Sequence, residues 1–418
     1  MTIQEIYKLY SKYYLVDTDT RSIRKNTIFF ALKGDNFNGN LFAEEALEKG
    51  ADYAIVDEKE YQTNKNIILV DDVLTCLQEL ATYHREVLDI PILSLTGSNG
   101  KTTTKELINA VLSKKYNTVA TKGNLNNHIG VPLTLLSMDS STEFGIVEMG
   151  ANHLKEIEFL CGIAKPNFGY ITNFGKAHIE GFGSIEGVIK GKSELLDYLR
   201  ITNGKIFINT DDELQLKQSE GIHSIPFNDS IANLNTTPFV SLSYKNLEIK
   251  SNLIGAYNYT NIASAISIGA YFEVSTTDIK ESIENYNPSN NRSQIIQKDT
   301  YKIILDAYNA NPSSMEVALK SFDNLDDKNK ILVLGDMFEL GEIAAEEHQL
   351  ITELSESLNT KQVYLIGVNF SKTNTKKALK FERFSDFIKS INSENFDNST
   401  ILIKGSRGMA LERLLNYL

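Results

Sequence analysis

The stretch LTGSNGKTTTKE, residues 95–106, follows the apolar run PILSLT (91–96) and precedes Leu107, Ile108, Val111 and Leu112 at helical spacing. Strand, glycine turn and helix in that order make a phosphate-binding loop. Gly97 and Gly100 let the backbone amides of the loop, with Ser98 and Asn99 between them, turn toward an anion. The helix that begins after them adds a positive dipole end. Lys101 is spaced to reach terminal phosphates, and Thr102 offers a hydroxyl to Mg²⁺, with Thr103 behind it. The common spacing G-x-x-x-x-G-K would put glycine at 95, where Leu95 stands, so the loop is a shorter G-x-x-G-K-T form.

Around this loop strands and helices alternate. GIVEM (145–149), FGYITN (168–173) and KIFIN (205–209) read as strands with helical stretches between them. That order predicts a mostly parallel sheet with helices on both faces. SLSYKNLEIKSNL (241–253) alternates with period two and predicts an antiparallel addition. The first ~85 residues carry TIFFAL (27–32), ADYAIV (51–56) and NIILV (66–70), a small α/β unit. ATYHREVLDIP (81–91) reads as the link out of it. A third, Rossmann-like α/β unit begins near 290, with strands KIILD, KILVLGD, VYLIG and TILIKG, and the chain is expected to end in the helix MALERLLNYL. The expected fold class is thus α/β in three domains: 1–88, 89–288 around the phosphate loop, and 289–418.

Bulk properties exclude several classes. The 418 residues carry a net charge of −12, which disfavours a nucleic-acid partner. No apolar run reaches the ~18 residues of a membrane helix, and MTIQEIYKLYSKYY has no apolar core for a signal peptide. Cys76 and Cys161 make no disulfide framework, so a reducing cytoplasm fits. The chain is read as a cytoplasmic monomer that does not insert into membranes.

Several polar residues fall at strand ends, where open α/β sheets place ligands. Glu148 closes GIVEM; it reads as a metal ligand or as a helix cap. His178 follows FGYITN and reads as a ligand or a structural imidazole. With Thr102 they would give a two-metal phosphoryl site. Asn124, Asn126 and Asn127 suit a polar substrate or a turn. Asp306, Asn309 and Asn311 follow KIILD; Asp306 is placed for a ribose hydroxyl, or the group caps a helix. KGSRG (404–408) is a second anion site or a solvated turn. In GVIKGKSELLDYLR (187–200), Lys192 shares a helix face with Val188, Leu195, Leu196 and Leu199, whereas Lys190 points away. Such a lysine either snorkels or loses its charge and becomes able to react with CO₂. The residues alone leave both readings open.

Assembled, these motifs resemble the Mur ligase family, the ATP-dependent amide-forming enzymes of peptidoglycan assembly. TGSNGKTTTKE, GNLNNHIGVPLTLL, VEMGA, NFGKAHIEGFGS and KGKSELL fall in the family's order, and TDTRSI…IFFALKGDNFNGNLFAEEALEKGA (18–51) resembles its uridine-nucleotide domain. DAYNANPSSM, LGDMFELG with His348 downstream, and KGSRGMALE point to the branch that joins D-Ala-D-Ala to UDP-N-acetylmuramoyl-tripeptide. The DNPR motif of the sister ligase that adds the third residue is missing.

The resemblance implies ATP, two Mg²⁺ ions and a carbamate on Lys192 as cofactors. It implies that Lys101, Lys192 and His178 are catalytic, and that Thr102, Glu148, His178 and Lys192 sit at metal. It implies that Gly97, Ser98, Asn99, Gly100, Lys101, Thr102, Thr103, Asn258, Asn261, Arg292, Asp306, Asn309 and Asn311 face ATP. Thr20, Arg21, Ser22, Lys33, Gly34, Asn124, Asn126 and Asn127 would face the uridine substrate. Tyr257 stands where the family commonly has His, and Arg292 lies in NNRSQ rather than after glycine. Rival readings are the third-residue ligase, a folate polyglutamate ligase, a nucleotide-gated binding module and a kinase that keeps its phosphate on the product.

Overall fold

A computed structural model describes residues 1–227, 229–298 and 300–418. Among the described residues the strands form five sheets, three of which organise the successive units. The first is parallel, in the order Val16–Asp17, Ile28–Phe30, Tyr53–Val56, Ile67–Leu69. The central sheet is parallel across six strands: His223–Pro226, Lys205–Ile208, Phe168–Ile171, Ile92–Thr96, Phe144–Glu148, Thr118–Ala120. The third also has six strands; only its edge strand, Gln294–Gln297, runs antiparallel to its neighbour, Lys302–Asp306. This is the expected α/β architecture.

Continuous apolar runs made these strands because both sheet faces are covered. In the central sheet Leu93 and Leu95 pack on the phosphate-loop helix Lys101–Leu112 and on helix Tyr257–Tyr271, while Ile92 faces the opposite core. The alternating stretch forms the expected antiparallel sheet, with Phe239–Tyr244 and Leu247–Ile254 as its hairpin. Lys245 and Asn246 turn that hairpin with φ of 48° and 64°, the sign that a two-residue hairpin loop needs.

Two expectations need correction. Residues 81–88 are not a linker; they are the second half of the helix Val73–Leu88. Leu77, Leu80, Ala81 and His84 share its buried face, and that face joins the first unit to the central unit in one core. The chain end is not an α-helix but two 3₁₀ turns, Arg407–Met409 and Leu411–Asn416, because Ala410 between them is left-handed with φ 47°. Among the described residues no helix is long and apolar enough to cross a membrane.

The joint between the first two units carries a titration. His84 is fully buried, with Nε2 3.0 Å from the Met138 carbonyl and Nδ1 3.3 Å from Tyr7 Oη. Burial pushes its pKa down from 6.5 to about 4. The unfolded chain therefore binds the proton more readily, so stability is full above pH 6.5 and falls as pH drops toward 4. From pH 7.5 to pH 5 the loss assigned to this group is about 2 kcal/mol. Urea midpoints at those two pH values should show it. His84→Gln should remove that part of the slope; an identical slope in the variant would show that other groups carry it.

Candidate active site

The strand Ile92–Thr96 lies between Phe144–Glu148 and Phe168–Ile171, and the chain crosses over on both sides of it. Ligands bind at the carboxyl ends of strands at such a switch point. A cavity of about 1400 Å³ opens there, walled by the central unit, helix Val73–Leu88 and the C-terminal sheet.

The phosphate loop forms its floor. Gly97 has φ 142° and Gly100 φ 80°. A Cβ at Gly97 would come within 2.0 Å of Thr172 Oγ1, and one at Gly100 within 2.8 Å of Asn261 Oδ1. Gly97→Ala must therefore displace the loop as well as strain it. We expect a loss of at least tenfold in nucleotide affinity, read by calorimetry with ADP, alongside about 2 kcal/mol of stability. Wild-type affinity in that variant would show that the loop does not hold phosphate. The helix after the loop has no side-chain N-cap, so its first amides are left for an anion. Lys101 donates to the Gly97 carbonyl at 2.6 Å and the Ser98 carbonyl at 3.3 Å. Part of its side chain faces the cavity, but the ammonium is enclosed, and burial pushes its pKa down to about 8 against the pull of Glu148.

Glu148 is 1% exposed at its strand end. One oxygen accepts from Thr102 Oγ1 at 3.0 Å and the other from Asn126 Nδ2 at 2.8 Å. Lys105, one helical turn beyond Lys101 and also buried, stands 3.6 Å from it. Glu148 is thus a held carboxylate, not a helix cap. Asn127 accepts from the amides of Ile129 and Gly130 and starts the next helical turn. Asn124 lines the cavity.

Lys192 is wholly buried and does not line the cavity, although Lys101 stands close enough to act on its charge. Its ammonium nitrogen is 3.1 Å from the Ala151 carbonyl and 5.1 Å from the centre of the Phe182 ring. Burial, with Lys101 nearby, holds its pKa well below the usual lysine value. The side chain does not snorkel: Lys190, two residues away, is the exposed one. The free amine is the form that reacts with CO₂, and an enclosure that opposes the charge favours that form, so the residue fits a carbamate.

His178 has φ 54° and starts the short helix Ile179–Phe182. Its Nδ1 meets Glu339 of the C-terminal unit. Among the described residues no three His, Cys, Asp or Glu side chains gather as a metal cage. Mg²⁺ does not need one, since it keeps waters and substrate phosphates and takes one or two protein oxygens. The Thr102–Glu148 pair fits that donor set.

The C-terminal wall brings Arg292, Asp306, Tyr308, Asn309, Asn311 and Lys404 to the same cavity. Asp306 accepts from Lys404 Nζ at 2.5 Å and from the Ser293 amide at 3.1 Å. Asn311 caps helix Pro312–Asp323 and donates to Asn99 Oδ1 at 2.8 Å. The Arg292 guanidinium stacks 3.6 Å from the centre of the Tyr308 ring, with its Nε buried and unpaired among the described residues. Arg407 donates to Tyr308 Oη at 2.9 Å. Tyr257 reaches Ser293 Oγ at 2.7 Å. Asn258 and Asn261 line the cavity, and Asn261 accepts from Thr104 Oγ1 at 3.1 Å.

The cavity thus gathers every residue expected at ATP except Gly97, which packs against Thr172. It also takes in Glu148, His178 and the three asparagines. Thr20, Arg21, Ser22, Lys33 and Gly34 are not part of it. They sit on the first unit, where Arg21 pairs with Asp19 at 2.6 Å and Lys33 with Asp57 at 3.0 Å. Sequence reasoning missed Lys105, Tyr308 and Glu339. Lys105 had a signal: it lies four residues after Lys101, on the same side of the helix.

A phosphate loop, a held carboxylate and a fully buried lysine, beside a cleft between two units, define a nucleotide-dependent ligase site, and the chain belongs to the Mur ligase family. It matches the Mur ligase middle domain over residues 95–269, the Mur ligase glutamate ligase domain over 291–407 and the Mur ligase family catalytic domain over 12–85. It is similar to the UDP-N-acetylmuramoyl-tripeptide–D-alanyl-D-alanine ligase of Bacillus subtilis, 34% identical across 96% of this chain and 92% of that protein. The Escherichia coli ligase of the same name is 31% identical across 96% and 93%. Among solved structures, MurF from Acinetobacter baumannii superposes with a TM-score of 0.85 at 28% identity, covering 96% and 92%. MurF from Thermotoga maritima in complex with ADP gives 0.84 at 25% identity, covering 96% of each chain.

Proposed function

We propose that this chain joins D-Ala-D-Ala to UDP-N-acetylmuramoyl-tripeptide at the expense of ATP, forming the UDP-N-acetylmuramoyl-pentapeptide. The observation that carries the reading is the single cavity walled by the phosphate loop and the C-terminal strand ends, in a chain alike end to end to ligases of that name. A carboxylate is a poor acyl donor because its oxygen is a poor leaving group. The tripeptide carboxylate attacks the γ-phosphorus; the bond from γ-phosphorus to the bridging oxygen breaks, and ADP leaves. The D-Ala-D-Ala amine then attacks the acyl phosphate carbonyl. The C–N bond forms, phosphate leaves with the electron pair, and the amine proton is lost. Catalysis is positioning and charge compensation.

Thr102, Glu148 and His178, with a carbamate on Lys192, would hold Mg²⁺, which supplies charge neutralisation for the phosphates when bound. Lys101 holds the phosphates that leave with ADP. Arg292, Asp306, Asn309 and Asn311 hold the nucleotide from the C-terminal side, with Asn258 and Asn261 below. Residues 1–88 would bind the uridine end through Thr20, Arg21, Ser22, Lys33 and Gly34, 89–288 the phosphates, and 289–418 would close over both. Closure excludes water that would hydrolyse the acyl phosphate.

The deciding experiment is mass spectrometry of the product from UDP-tripeptide, D-Ala-D-Ala and ATP, run with both the diaminopimelate and the lysine tripeptide. A pentapeptide and one phosphate per product are expected. ATP breakdown that ignores both partners would sink the reading, and leave a nucleotide-driven switch in its place.

A further inference from the structure

The loop 172–178 is gripped from both sides. Toward the phosphate loop, Thr172 Oγ1 donates to the Asn99 carbonyl at 2.6 Å, Ser98 Oγ donates to the Gly175 carbonyl at 2.8 Å, and the Asn99 amide donates to Asn173 Oδ1 at 3.1 Å. Toward the C-terminal unit, the Lys176 amide donates to Ser313 Oγ at 3.0 Å, and Lys176 Nζ donates to Glu347 Oε1 at 2.7 Å. A Cβ at Gly175 would meet Asn99 and Ser313 at 3.2 Å each, so the loop has no slack between them. Glu347 lies in helix Ala344–Ser357 with its side chain only 9% exposed. A nearly buried carboxylate needs a compensating charge, and Lys176 supplies it from the other unit. Lys176 does not line the cavity, so its charge is not spent on phosphate.

We propose that Lys176 is a positioning residue: by holding Glu347 it ties the C-terminal unit to the phosphate loop, so that closure and the shape of the loop are set together. The idea rests on the ligase reading above for its consequence in turnover, but not for its consequence in shape.

The test is a charge-reversal cycle on the full chain: Lys176→Glu, Glu347→Lys and the double reversal. In the ligation assay, run at a temperature where every variant stays folded, each single reversal should raise the KM for D-Ala-D-Ala about tenfold, and the double should return to within about threefold of wild type. Small-angle scattering with ADP and MgCl₂ should show the singles expanded and the double compact. A role in folding alone would lower the melting temperature of the singles while leaving the KM of the folded chains at the wild-type value. Singles within twofold of wild type in KM and unchanged in size, or a double as impaired as the two singles combined, overturn the proposal. Should the wild type make no pentapeptide while the scattering still follows the charge pattern, the ligase reading fails and the tie stands.

Discussion

Lys192→Ala is expected to lower ligation about a thousandfold or more while ADP still binds. Lys192 lies at the centre of a helix face with Val188, Leu195 and Leu199, all buried. An amine left there for packing alone would be a defect, because it replaces apolar contacts with one hydrogen bond to the Ala151 carbonyl. Burial and Lys101 both oppose its charge and hold its pKa well below the usual lysine value, which favours the free amine that adds CO₂. The two roles make opposite predictions for Lys192→Met, which keeps the volume and removes the buried polar atom. A packing role predicts full activity and equal or greater stability. The carbamate role predicts a stable, inactive chain that formate or acetate partly restores, since a small carboxylate can stand where the carbamate would. Turnover of both variants, with and without the acids, separates them; undiminished turnover in either removes the carbamate.

The fold was legible where one physical signal dominated. Unbroken apolar runs such as KILVLGD gave the strands, and the period-two stretch 241–253 gave the hairpin. Where two signals competed, the reading slipped. Residues 81–91 look like a polar link because His84 and Arg85 are polar, yet both are buried and bonded across units, Arg85 to the Ala164 carbonyl at 3.1 Å. At the chain end, apolar spacing suggested an α-helix, but the segment folds as two 3₁₀ turns on either side of a left-handed Ala410. At the site, strand-end position found Glu148 and Asp306, because local order along the chain fixes it. Which side chains pair with them was not legible, although helical spacing marked Lys105 itself. Lys105 for Glu148 and Lys404 for Asp306 arrive by folding; the latter pair is 98 residues apart. The partnership of His178 with Glu339 likewise exists only once two units meet. Nor could spacing alone choose between snorkelling and burial for Lys192; that required the neighbouring Ala151 and Phe182.

Lys101 should make nucleotide affinity depend on pH, and its replacement should cost about a hundredfold or more in kcat. In the free chain its ammonium turns back onto the carbonyls of Gly97 and Ser98. Burial has brought its pKa down to about 8, with Glu148 opposing and Arg292 adding to the fall. A bound polyphosphate favours the charged form, so its pKa must rise on binding. The sign follows: below about pH 7 the lysine is already charged and affinity is flat. As pH climbs through 8, binding must first recover a proton, and the Kd for ADP rises, by at most about tenfold per pH unit. Calorimetry from pH 6.5 to 9.5, in buffers of different ionisation heat, should show proton uptake on the alkaline side. Lys101→Ala should flatten the profile and weaken binding. Lys101→Arg should also flatten it, because guanidinium stays charged throughout. Should the wild type itself bind ADP equally at both extremes with no proton taken up, then Lys101 does not meet the phosphates, and the loop must hold them through its amides alone.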